Sequence, residues 1–347
     1  MNKAKQYLPD PPVMLGLLLV LGTLPLWIGR VGLYQYLAIE IIIWCIYALG
    51  YNLALGYTGL PSFGHGAFFG IGAYAMAIYQ LNFAGTNLWV GLGCAVLAAA
   101  AAGGLVGLFV RHRRGIYFAL MTIAFGQIFW FLAIKLRWLT KGEDGLLNLS
   151  RLPARFGFFE LDLSDPVRLY YFTLVLFFLI MIFLWTVISS PFGNIIQAVK
   201  QNEARSRFIG YDVRVFKWMS FVLSTAVAGF AGGLFALAQQ SAFPDVMALH
   251  WSGIIVMMVI IGGGLVSYWG PIWGVIFYFL MRDVLGAFTE TWVLWFGLSF
   301  MLVMLFQPEG IAGIWQKYRP QRLKVDGMKP ARPLPEATAV SGNGEQL

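Results

Sequence analysis

Few side chains in this sequence are able to do chemistry, and their spacing decides what is open to them. Ser62 lies just before His65, and His250 just before Ser252. A serine nucleophile working inside a membrane needs a base beside it and a Gly-x-Ser-Gly setting. Ser62 stands in Pro-Ser-Phe-Gly and Ser252 follows Trp251, so neither fits. His65, His112 and His250 are far apart, and Cys45 and Cys94 fall inside apolar runs. That gives no metal-ligand spacing and no disulfide framework, and no cofactor is expected. No Gly-x-x-x-x-Gly-Lys-Ser/Thr loop occurs, so the chain is not its own P-loop ATPase. What remains are residues that line a path or make a contact. They are Glu40 in a long apolar run, a glycine-broken stretch at 56–74, and a basic segment at 194–212.

The elements that must position these residues are set by hydropathy. Hydrophobic residues make up 59% of the chain, and apolar runs of spanning length recur along almost all of it. That pattern is one polytopic membrane domain, with the lipid bilayer as partner and nucleic acid excluded. The runs lie near 13–29, 31–55, 64–81, 88–110, 116–138, 168–189, 215–240, 251–261, 269–285 and 291–306. They predict an all-α, polytopic integral membrane protein of about ten transmembrane helices. The run at 251–261 is too short to cross about 30 Å unless it borrows flanking residues or is interrupted. With the N-terminus inside, most of the 24 Lys and Arg fall in cytoplasmic segments, including Lys3, Lys5, Arg111, Arg113, Arg114, Lys200 and Lys217. The outer segments balance their cations with acids, so both termini are expected in the cytoplasm. Residues 1–12 read as a cytoplasmic segment, 13–316 as the transmembrane domain, and 317–347 as a disordered cytoplasmic tail rich in Pro, Gly and charge. The first run ends in Gly29-Arg30-Val31 without a small-x-small cleavage pattern and reads as a retained helix.

Gly56, Gly59, Pro61, Gly64 and Gly66 each weaken a helix. Backbone freed from a helix is tolerated in a membrane where protein buries it or where it lines a wet cavity. Both a substrate path and tight packing through small residues fit this segment. Residues 260–274, IIGGGLVSYWGPIWG, form a second interrupted segment in the other half. Glu40 is a costly carboxylate that must face protein or water.

Six stretches, in this order and spacing, resemble the membrane-spanning permease subunits of branched-chain amino-acid ABC importers. They are ALGYNLALGYTGLPSFGHGAFFGIGAY, RRGIYFALMTIAFGQIFWFLA, RWLTKGEDGL, SPFGNIIQAVKQNEARSRFIGYDV, GGGLVSYWGPIWG and FQPEGIAGI, and the resemblance they carry extends over nearly all of the chain from about Gln35 to Trp315. The resemblance implies a second homologous permease, two cytoplasmic ABC ATPases and a periplasmic substrate-binding protein, assembled on a bacterial inner membrane. ATP hydrolysis would then reside on the partner ATPases, and this subunit would perform no covalent chemistry. Ser62, Phe63, Gly64 and His65 occupy the family's Ser-x-Gly-His segment. With Gly66 and Glu40 they are the expected substrate path. Glu203 and Gly210 occupy its Asn-Glu-to-Gly coupling loop, beside Ala204, Arg205 and Arg207. The chain departs from the pattern at Thr140-Lys141-Gly142, where relatives often show Thr-Gly-Gly, and at Ile254, where many carry an acid. Lys141-Gly142-Glu143-Asp144-Gly145 is unlike the Gly-Gly-Asn-Asn-Gly of the urea branch, which argues against urea.

The expected function is a permease for branched-chain or related amino acids. The rival is a self-sufficient secondary transporter of a small organic solute, for which Glu40 is the candidate coupling carboxylate. The outer loop 139–167, with Glu143 and Asp144, is expected to dock the binding protein. Residues 194–212 are expected to form one amphipathic helix bracketed by Gly193 and Gly210. Ile195 and Val199 would share a face of it, and Glu203 and the arginines would point into an ATPase cleft.

Overall fold

A backbone in hydrocarbon has no water to bond to, so apolar runs must close their hydrogen bonds within themselves as helices. The computed structural model follows the runs in that way, and describes residues 11–27, 34–83, 87–155, 160–307 and 309–313. The tail 317–347 and all but the last two residues of the segment 1–12 lie outside the described residues. The helices are α1 (Pro11–Trp27), α2 (Gln35–Asn52), α3 (His65–Asn82), α4 (Leu88–Val110), α5 (Gly115–Lys135) and the short α6 (Arg137–Thr140). A two-residue ribbon, β1 (Ala154–Arg155) with β2 (Glu160–Leu161), precedes α7 (Pro166–Ser189), α8 (Pro191–Gln201), α9 (Glu203–Phe208) and α10 (Val213–Gln239). Then come α11 (Leu249–Gly262), α12 (Gly270–Leu280), α13 (Gly286–Phe288) and α14 (Trp292–Phe306). One π-helical turn, Leu53–Tyr57, prolongs α2, and another, Met281–Leu285, joins α12 to α13.

The fold is all-α, and among the described residues seven helical stretches are long and apolar enough to cross a bilayer. The remaining apolar runs are taken by α1, α3 and α11. With 14 residues, α11 rises only about 21 Å, which is the shortness its sequence predicted.

The core is built around α2, α3, α4 and α10. Helices in lipid gain little from apolarity alone and associate where small residues let backbones approach. Ala95, Ala99, Gly103 and Gly107 make such a ladder on α4. A Cβ on Gly229 of α10 would strike Ala99, and one on Gly103 would strike Thr225. Gly72 of α3 lies against the Gly229 backbone, and Gly232 against the Phe69 carbonyl. As a result α2 is 94% buried over its apolar window, while α5 is 22% and α14 12% buried. The faces of α5 and α14 are left for lipid or for other subunits.

Contacts sort the connections into two ends. One end gathers the π-turn of α2, the α4–α5 link, α8, α9 and the 263–269 segment. Lys200 reaches Gly56, Glu203 reaches Arg114, and Gly264 lies beside Gly56. The other end holds the 136–165 loop, which is stitched to the α10–α11 connection by a bridge between Leu146 and Ala242.

Candidate functional site

The glycine-broken stretch is less unwound than its sequence implies. Gly56 stays in the π-helical turn and Gly66 in the first turn of α3, so only residues 58–64 leave the helix. That segment is buried in protein. Thr58 shares a hydrogen bond with Ser220 of α10, and Phe63 N donates to Thr122 Oγ1 of α5 at 3.2 Å. Gly64 is required by close approach, because a Cβ there would collide with the Thr122 carbonyl. Ser62 and His65 are each 0% exposed.

His65 is a three-way tie. Ser224 Oγ donates to Gly50 O at 2.7 Å and lies 3.0 Å from His65 Nε2. Ser62 Oγ lies 3.3 Å from His65 Nδ1. With the Ser224 proton committed to Gly50, His65 donates from Nε2 to Ser224 Oγ, and its Nδ1 faces the Ser62 hydroxyl. The relay binds α2, α3 and α10 together. Ser252 belongs to a different contact, since its Oγ accepts from Gly66 N at 2.9 Å. The start of α11 therefore meets the start of α3 inside the protein.

The two interrupted segments touch. A Cβ on Gly56 would lie 2.7 Å from the Gly264 carbonyl, and one on Gly264 2.7 Å from Asn52 Oδ1. Asn52 is buried at this joint, and neither of its amide atoms has a hydrogen-bond partner.

The basic segment departs from the expected single helix. Ser190 caps α8 through Gly193 N, and Pro191 occupies its first turn, so the helix starts before Gly193. It breaks at Asn202, whose backbone is extended at φ −160° and whose side chain caps α9 through Arg205 N at 3.0 Å. Gly210, at φ +100°, supplies the left-handed turn that ends the pair. Ile196 and Val199 are the buried positions, with Ile195 half-buried beside them. Glu203 does not point outwards as expected. Its carboxylate is turned in, 2.7 Å from Arg114, 3.1 Å from Lys217 and 3.7 Å from Arg207, and its side chain is 14% exposed. Lys217 is itself buried and also donates to Arg113 O at 2.8 Å. The outward residues are Ala204, Arg205 and Arg207, followed by Phe208 at 91% and Ile209 at 69% exposure.

Glu40 is not with Ser62, Phe63, Gly64, His65 and Gly66. It lies toward the opposite end of α2, where Arg282 grips it through two bonds of 3.0 Å. Arg282 also bonds Asp283 at 3.2 Å and lies over the Phe279 ring at 4.4 Å. The π-helical turn carries both Arg282 and Asp283, as such turns often carry functional or strained side chains.

Glu143 and Asp144 are exposed at the tip of a 3-10 turn, Gly142–Asp144. The turn is held from beneath by Thr140, whose hydroxyl donates to Ala133 O at 2.6 Å and accepts from Gly142 N. Arg155 and Glu160 pair across the ribbon at 2.7 Å. Among the described residues no group of three His, Cys, Asp or Glu side chains could hold a metal.

Sequence reasoning missed Ser224, Thr122, Ser220, Arg114 and Lys200 as partners of these segments. Polar residues in the middle of apolar α5 and α10 were the available signal.

Comparison with known proteins sets this geometry in a family. The family described as branched-chain amino acid transport system, permease component, matches residues 33–307. The chain is 31% identical over 290 residues to the high-affinity branched-chain amino acid transport system permease protein LivM of Escherichia coli K12, covering 78% of this chain and 68% of that one. It is 24% identical over 308 residues to a probable LivM permease of Methanocaldococcus jannaschii, covering 77% and 89%. It is 26% identical over 292 residues to that organism's probable LivH permease, covering 78% and 89%. No solved structure matches. The chain belongs to the branched-chain amino acid transport permease family and is a multi-pass membrane protein.

Proposed function

We propose that this chain is the membrane-spanning subunit of an ATP-driven importer for branched-chain or related amino acids in a bacterial inner membrane. It pairs with a second permease, receives substrate from a periplasmic binding protein, and is driven by two cytoplasmic ATPases. The α8–α9 end faces the cytoplasm and the 136–165 loop faces the periplasm, with both termini inside. The observation that carries this reading is the α8–α9 pair. It is a polar helix pair at one end of an apolar bundle, tied to the α4–α5 link and α10 through Glu203, with Phe208 and Ile209 left bare. Arg205, Arg207, Phe208 and Ile209 form the face for an ATPase, and Glu203 holds that face in position. Gly210 sets its final turn. Glu143 and Asp144 are offered to the binding protein. Residues 58–66 form the moving element of the path: Ser62, Gly64, His65 and Gly66 are closed in this conformation, and half-buried Phe63 stands at the segment's edge. The secondary-transporter reading loses its coupling group, since Glu40 is held by Arg282.

The test is reconstitution of the permease pair with its ATPases and binding protein. ATPase stimulation by loaded binding protein is measured beside uptake. Replacing residues 194–212 by a Gly-Ser linker is expected to abolish both. Full stimulation with full uptake would sink the importer reading.

A further inference from the structure

Lys200 of α8 bonds to the π-helical turn that ends α2, and the bond fills a gap left by that turn. The amides of Thr58 and Gly59 turn back to Leu55, that of Leu60 turns back to Ala54, and Pro61 has none to give. The Gly56 carbonyl is therefore passed over by the amides that follow it, and Lys200 Nζ donates to it. A cation at a helix C-terminus is well placed for the dipole and for the open carbonyl.

Lys200 is an exposed residue whose stem runs against Gly59. A Cβ on Gly59 would come 3.1 Å from Lys200 Cγ, and Gly59 stands at φ +75°. A side chain at this position is thus opposed by both space and backbone. Lys200 stands between two clefts at this end. One, of about 380 Å³, is lined by Thr58, Gly59, Arg114, Asn202 and Glu203. The other, of about 100 Å³, reaches Tyr57, Gln197 and Gly264. The rest of the α8 seat is Gly193, Ile196 and Val199, with Phe192 on the Phe216 ring of α10, and apolar contacts of this kind are non-directional. A charge-assisted hydrogen bond is directional.

We propose that Lys200 is a positioning strut, which makes the end of α2 and the broken segment 58–64 follow α8 when α8 moves. Through the Gly56–Asn52–Gly264 joint it also engages the 263–269 segment. Both interruptions of the bundle are then driven from one ammonium group. The inference rests on the importer reading, because it is an ATPase that displaces α8.

The experiment compares wild type, Lys200→Met and Lys200→Arg in the full reconstituted importer. It reads the amount of assembled complex, ATP hydrolysis, and substrate taken up per ATP hydrolysed. Lys200→Met keeps the stem and loses the donor. It is expected to lower substrate per ATP about tenfold, the scale of one lost charge-assisted bond. Hydrolysis by the assembled complex should persist. Lys200→Arg, which keeps charge and donors, should recover most of the ratio. A merely structural role would reduce assembled complex and leave the ratio at the wild-type value, and that result overturns the proposal. So does a Lys200→Met complex within twofold of wild type in both yield and ratio. If wild type itself shows no ATP-driven uptake, the importer reading fails and the strut fails with it. An active wild type with an unaffected variant removes the strut alone.

Discussion

Glu40 and Glu203 are both carboxylates that the fold turns inward, but the two regions holding them differ in kind. Glu40 lies within a span, and one arginine on a neighbouring span grips it with a two-pronged bond. Glu203 lies on a surface helix among three cations. Lys217 is buried, while Arg114 and Arg207 are about half exposed. A single rigid partner in low dielectric fixes one geometry, and losing it leaves a bare buried charge. Glu203 is about as buried as Glu40, but two of its three cations are half exposed, so it keeps a partner when one is lost. The first arrangement suits a joint that must not open. The second would suit the tilting that the proposed coupling asks of the α8–α9 pair.

Removing Arg282 is the strongest way to break this comparison. Arg282→Met should cost about 3–5 kcal/mol by leaving Glu40 unpaired, measured as a loss of thermal stability in detergent. The double variant Glu40→Gln with Arg282→Met should recover more than half of that loss. A single variant that melts like wild type would show the pair to be unimportant.

Lys217→Met comes next. Glu203 keeps Arg114, so the expected cost is about 1–3 kcal/mol, that of a lost charge-assisted bond. Glu203→Gln should cost about as much, and the two losses should be strongly non-additive in a double-mutant cycle. Additive losses would mean that the two residues do not share one network.

Arg207→Ala removes the longest contact, from a half-exposed side chain, and should change stability by no more than about 0.5 kcal/mol. Raising salt to about 0.5 M should narrow the difference between Glu203→Gln and wild type, while the Arg282→Met difference should hardly move. Equal salt sensitivity at both sites would erase the distinction between them. Charge reversal at Glu143 and Asp144 is the smallest perturbation of the fold, within about 0.5 kcal/mol. It should still impair uptake driven by the binding protein, and normal uptake would remove those residues from the docking surface.

Much of this architecture is legible in the sequence because spanning helices obey local rules. The apolar runs gave the helices, the shortness of 251–261 gave a short α11, and the glycines gave the neighbourhood of the break. The extent of the break was not legible. Whether Gly56 leaves the helix depends on a carbonyl that Lys200 takes up from 144 residues away in sequence. The direction of Glu203 was hidden for the same reason, since Arg114 and Lys217 belong to other elements. Asn202 carried a readable signal, a capping residue with Glu after it, but amphipathic spacing across it suggested one continuous helix. Nothing local links Glu40 to Arg282. Only the packing of α12 against α2 brings them together.

The meeting of Ser252 with Gly66 has an electrostatic consequence. It places the first turns of α3 and α11 side by side in the interior, and each helix carries roughly half a positive elementary charge at that end. On the proposed path a metal cation or a proton at this point would be repelled from both sides. A carboxylate would not be. On the proposed path the broken segment would thus carry a sign preference, one that opposes leakage of the cations on which a membrane's voltage depends.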